Sequence, residues 1–112
     1  MDCIFCKIIN KEIPSEFIYE DDFVIAIRDI NPMAKVHILV IPKVHISSAN
    51  ELTSENMDIV KNVFSAISVI TKKEGLTETG YRIVNNCGDD ARQSVQHIHF
   101  HILGGEVLSD KM

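Results

Sequence analysis

The chain has 112 residues, 46% of them hydrophobic, and a net charge of −5. This length fits one domain, residues 1–112, with an ordinary core. The charge argues against nucleic-acid binding, which needs basic patches, and no apolar run approaches the roughly 20 residues that span a bilayer. Asp2 and Lys7 interrupt any apolar signal segment. The expectation is a soluble intracellular protein, cytoplasmic with the nucleus as a second location. In that compartment the three cysteines read as thiols or metal ligands rather than disulfide partners.

In chain order, Cys3–Ile9 is apolar at Ile4, Phe5, Ile8 and Ile9, which suits one or two helical turns. Pro14 and Ser15 break it. Phe17–Glu20 and Phe23–Arg28 read as strands around the acidic turn Asp21-Asp22. Asp29-Ile30-Asn31-Pro32 is a turn, and His37–Ile41 is an apolar strand closed by Pro42. Thr53 or Ser54 can cap a helix with Glu55 in its first turn. That helix carries Met57, Val60, Phe64, Ile67 and Ile70 along one stripe and ends at Gly75. Tyr81–Val84 is a strand and Asn85–Arg92 a polar loop. Ser94–Gly105 follows as the last strand. The order β-β-β-α-β-β implies an α+β domain, a largely antiparallel sheet with one long helix on a face and a short N-terminal helix.

The last strand carries the chemistry. Strand alternation puts His97, His99 and His101 on one face and Ile98, Phe100 and Ile102 on the other. On a straight strand the outer two histidine Cα atoms are roughly 13 Å apart, too far to share one ion. At least one imidazole is therefore free for nucleophilic attack or proton transfer. A neutral His99 could attack phosphorus with one ring nitrogen while the other donates to a carbonyl. Cys3-x-x-Cys6 has the spacing of a zinc knuckle, and His45 and His97 are available to complete a closed Cys2His2 site; the alternative is a metal-free pair of core thiols. The loop 86–94, with Gly88, Arg92, Gln93 and Ser94, could hold a phosphate, or it is an ordinary connection with a solvated arginine. Ile4, Phe5, Ile8, Ile27 and Leu39 could line a slot for a flat ring, or be plain core. Asp29 could accept from a ribose diol, or serve only its own turn.

His97-Ile98-His99-Phe100-His101-Ile102-Leu103 resembles the pattern that names the histidine triad family, His-φ-His-φ-His-φ-φ. Gln93-Ser94-Val95 agrees with it, as do Cys3–Ile9, Ile13-Pro14, Asp29–Pro32 and Leu39–His45. Leu103-Gly104-Gly105 is similar to the Hint branch. The resemblance implies a five-stranded antiparallel sheet and a hydrolase of purine nucleoside phosphoramidates, such as adenylated lysine or amine adducts. It implies His99 as nucleophile, with His101 and His37 assisting and Asp29 at the ribose. Asn86, Arg92, Gln93, Ser94 and Val95 fall at the phosphate and leaving group. Ile4, Phe5, Ile8, Ile27, Ile30 and Leu39 fall around a purine base. It implies a structural zinc on Cys3, Cys6, His45 and His97, not needed for the chemistry. It further implies a homodimer through the long helix and the strand near Tyr81. Arg92 departs from the family, where glycine is common. Dinucleoside polyphosphate hydrolysis, a non-catalytic nucleotide-binding scaffold and a zinc-dependent hydrolase are the competing readings.

Overall fold

A computed structural model describes residues 3–111. Met1, Asp2 and Met112 of the expected domain lie outside the described residues. A short helix α1 (Ile4–Ile9) precedes strands β1 (Tyr19–Glu20), β2 (Val24–Arg28) and β3 (Val36–Pro42). A 3-10 turn (Ala49–Glu51) leads to the long helix α2 (Asp58–Lys73), then β4 (Tyr81–Val84) and β5 (Phe100–Gly104). The five strands form one sheet in the order β1-β2-β3-β5-β4, and every neighbouring pair is antiparallel. This is the α+β architecture expected. Among the described residues no helix is long and apolar enough to cross a membrane.

Both faces of the sheet are covered, which explains the continuous apolar run of β3. Val24, Ala26, Ile38, Val40, Phe100 and Ile102 face α2, and Val63, Ala66, Ile67 and Ile70 close that layer. The opposite face carries Ile25, Ile27, Leu39 and Ile41 under Phe5 and Ile8 of α1. Each fully buried aliphatic side chain contributes on the order of 1.5–3 kcal/mol. The two layers therefore hold the central strands β2, β3 and β5 rigidly from both sides. Register carries the site: Leu39 pairs with His101 and His37 with Leu103. His37 and His101 thus stand on the α1 face, beside Ile27 and Leu39. At the end of β5, Gly105 has φ +81°, and a side chain there would meet Val36 Cγ2 at 2.9 Å.

Three expectations are corrected. The last strand is not continuous from Ser94; it begins at Phe100, and His97 and His99 lie in the irregular segment before it. The ladder to β3 stops at the Val40–Phe100 pair. Beyond it, the Pro42 carbonyl accepts from the His97 ring and Ile98 N–H donates to Ile46 O, so the chain leaves the sheet. The long helix starts at Asp58 rather than at a Thr53 or Ser54 cap. Residues 53–56 form their own turn, with Asn56 Oδ1 accepting from Thr53 N–H and Thr53 Oγ1 accepting from Glu55 N–H. Its buried stripe is Val63, Ala66, Ile67, Ile70 and Thr71; Met57 and Phe64 are each 47% exposed. Two apolar stripes run along this helix, and the expected stripe combines Met57, Val60 and Phe64 of one with Ile67 and Ile70 of the other. The strands at Phe17 and Phe23 also start later, at Tyr19 and Val24. Asp21 Oδ1 takes both Phe23 N–H and Val24 N–H, which makes this segment a turn.

Candidate active site

α1 begins with Cys3 as its N-cap, whose sulfur accepts from Cys6 N–H at 3.4 Å. The cap brings both sulfurs to one end of the helix. There they meet two imidazoles: Cys3 Sγ lies 3.4 Å and Cys6 Sγ 3.6 Å from His97 Nδ1. Cys6 Sγ lies 3.3 Å from His45 Nδ1, and the two Nδ1 atoms are 3.0 Å apart. All four donor atoms fall within 4.8 Å of one another. A zinc tetrahedron with Zn–N of about 2.0 Å and Zn–S of about 2.3 Å has edges of roughly 3.3–3.8 Å. The donor set fits zinc in chemistry and in spacing. His97 Nε2 donates to Pro42 O at 2.7 Å, which leaves its Nδ1 lone pair aimed into the cluster. Burial, with the adjacent Cys3 thiol, pushes the Cys6 thiol up from its ordinary value.

The hydrogen bonds assign every triad tautomer. His99 Nδ1 donates to His97 O at 2.7 Å, so its Nε2 carries a free lone pair. Asn85 Nδ2 holds the His99 carbonyl at 2.9 Å. Phe5 sets its ring edge-on to His99 at 5.0 Å, and the tilted His101 ring lies 5.3 Å from it. Met33 N–H donates to His37 Nδ1 at 3.0 Å, so the His37 proton is on Nε2. That nitrogen donates to His101 Nδ1 at 2.9 Å, which puts the His101 proton on Nε2. Asp29 Oδ2 stands 3.4 Å from His37 Nε2, while Oδ1 accepts Asn31 N–H at 2.8 Å. Asp29 thus serves its own turn and also faces the histidines. These three groups are also close enough to hold an ion, but the proton on His37 Nε2 makes them a hydrogen-bonded chain instead.

Burial holds His37 and His97 below the ordinary imidazole value, and drives His101 down to about 4, helped by the neighbouring His99 and His37. All three are neutral near pH 7. Among the described residues no buried side-chain nitrogen or oxygen lacks a partner. The unpartnered Nε2 atoms of His99 and His101 are therefore not sealed in. The site presents one imidazole lone pair and one imidazole N–H side by side.

Phe5, Ile8, Ile27 and Leu39 form one buried cluster on this face. Ile4 and Ile30 are instead exposed, at 49% and 92%, and stand outside that cluster. Gln93 is buried with its amide engaged inside the protein: Oε1 accepts from Gly88 N–H, and Nε2 donates to Ser47 O and Val95 O. It clamps the loop rather than reaching out of it. Arg92 has φ +63°, and with Ser94 it is exposed on that loop. Asn86 is half-buried beside Asn85, and Val95 packs against the apolar cluster. Asn85, Met33 and Pro42 have no site role that the sequence alone reveals. Asn85 acts through an amide that only the folded chain brings to residue 99, and the other two act through main-chain atoms, which leave no signature in residue type.

The HIT domain family model matches residues 10–108. Over 107 residues the chain is 42% identical to a purine nucleoside phosphoramidase of Escherichia coli K12, covering 96% of this chain and 90% of that one. It is 46% identical over 110 residues to a 14 kDa zinc-binding protein of Brassica juncea, covering 96% of each. Its fold superposes on a HIT family hydrolase from Clostridium thermocellum with a TM-score of 0.95 at 46% identity, covering 99% of this chain and 96% of that one. The chain belongs to the HIT family.

Proposed function

We propose that this protein hydrolyses purine nucleoside phosphoramidates to the nucleoside monophosphate through a nucleotidyl-histidine intermediate on His99. One observation carries the reading: the 2.7 Å bond from His99 Nδ1 to His97 O leaves Nε2 as an open nucleophile beside the donor His101 Nε2–H. The purine lies in the slot of Phe5, Ile8, Ile27 and Leu39, with Asp29 at the ribose. Ser94, Arg92, Asn86 and Val95 border the phosphate and the leaving group. His99 Nε2 attacks phosphorus, and a P–N bond is exchanged for a bond to imidazole. The departing nitrogen leaves as an amine, taking a proton from water. A second water then cleaves the adduct, freeing His99 and returning that proton. His101 Nε2–H binds a non-bridging phosphate oxygen, held in place by His37 and Met33 N–H. The phosphoramidase and hydrolase relatives support this chemistry.

Zinc on Cys3, Cys6, His45 and His97 would tie α1 to the sheet in a closed site. The zinc-binding relative supports that role. The exposed Met57 and Phe64 of α2, with Tyr81 on the edge strand β4, are the proposed surface of a homodimer. The test is turnover of adenosine 5′-phosphoramidate beside a diadenosine polyphosphate. The phosphoramidate is expected to be the better substrate. His99→Ala is expected to lose roughly a thousandfold or more in kcat while still binding AMP. Undiminished turnover in that variant would remove the proposal.

A further inference from the structure

The metal cluster and the nucleophile share a peptide unit. His97 gives its ring to the Cys3, Cys6 and His45 group, and its carbonyl to His99 Nδ1 at 2.7 Å. That peptide unit is held at two points, Ile98 N–H on Ile46 O at 2.8 Å and His97 Nε2 on Pro42 O at 2.7 Å, and the ring's Nδ1, 3.4 Å from Cys3 Sγ, is a third point that a shared ion would fix. α1 makes a second connection. Phe5 stands between the two cysteines in sequence, and its ring meets both His97, at 5.9 Å, and His99, at 5.0 Å. Thus two of the four donors sit on the helix that walls the nucleophile, and a third supplies the carbonyl that orients it.

We infer that Cys3, Cys6, His45 and His97 are positioning residues for the reaction: when all four converge on a metal ion they lock the His97 carbonyl and Phe5, and so hold His99 as its Nδ1–H tautomer with Nε2 free. This rests on His99 being the nucleophile. With the four donors apart, nothing anchors the start of α1 to residue 97 except packing. The His99 ring then samples its other tautomer, whose Nε2–H cannot attack. The α2 layer lies on the opposite face of the sheet and contains none of the four donors, Phe5 or His99, although Ile46 and Ile98 pack in it.

The experiment uses the full chain labelled with 15N, zinc-loaded, stripped by a chelator, and reloaded with zinc, beside His45→Asn. Long-range 1H–15N spectra report the His99 tautomer, and amide spectra report α2. Loaded protein is expected to show a single Nδ1–H form. Stripped protein is expected to show an exchanging mixture with α2 unchanged, and a kcat on adenosine phosphoramidate lower on the order of tenfold to a hundredfold. Added zinc restores both, and His45→Asn falls between. A stripped protein that keeps the Nδ1–H form and its kcat overturns the inference. So does loss of α2 together with the site, since that is general unfolding. If the tautomer responds to zinc but no form turns over substrate, the coupling stands and the proposed hydrolysis fails.

Discussion

Three histidines spaced two apart carry three different hydrogen-bond patterns, and these patterns divide their work. His97 spends one nitrogen on Pro42 and aims the other at the cysteines. His99 spends Nδ1 on a carbonyl and keeps Nε2 free, and His101 accepts from His37 and keeps an N–H. The spacing made a reactive platform legible, as did the opposite core positions Ile98, Phe100 and Ile102. It did not show that His97 and His99 leave the strand, because that depends on contacts to Pro42 and Ile46, about fifty residues away. His101 also yields a pH prediction. Its folded value of about 4 lies below the ordinary 6.5, chiefly through burial. The unfolded chain therefore binds more protons between those values. Stability is fully present above about pH 6.5 and is lost as pH falls toward 4, by at most about 1.4 kcal/mol per pH unit for one proton. His37 and His97 shift in the same direction. Urea midpoints are expected to be lower at pH 5 than at pH 7, with a smaller gap in His101→Gln. An equal gap in that variant would show that His101 carries no part of the loss.

At the scale of elements, the existence of each helix and strand followed from periodicity, and the boundaries followed from side-chain contacts that periodicity does not encode. Cys3-x-x-Cys6 was readable as a pair, and α1 confirmed it because the N-cap at Cys3 turns both sulfurs to one end. Helix α2 was harder to read. Its apolar residues cover more than one face, and the stripe through Met57, Val60 and Phe64 looked as good as the one the sheet buries. Packing distinguishes them. Ile67 is 2% exposed between strands and helix, so Ile67→Ala is expected to cost about 2–5 kcal/mol in urea unfolding. Phe64 is 47% exposed, so Phe64→Asp is expected to leave the protomer folded and to shift its mass in light scattering from dimer to monomer. A Phe64→Asp protein that remains dimeric would place the interface elsewhere.

For the whole molecule, a sheet covered on both sides separates the two tasks. The α2 layer supplies most of the buried aliphatic residues, and the α1 side carries the apolar cluster around Phe5, the Cys–His cluster and the histidines. Family membership follows from the matched residues 10–108, while Cys3 and Cys6 lie before them. The N-terminal donors thus have to be judged on this chain's own geometry, which brings them to His45 and His97. The proposed chemistry turns on one atom, His99 Nε2. Rapid alkaline quench of turnover on adenosine 5′-phosphoramidate, followed by intact-mass and peptide mass spectrometry kept above neutral pH, examines it directly. The nucleophile assignment predicts a covalent adenylyl group on His99, formed at least as fast as turnover and absent from His99→Ala. An adduct on another side chain, or steady turnover by His99→Ala, would contradict it.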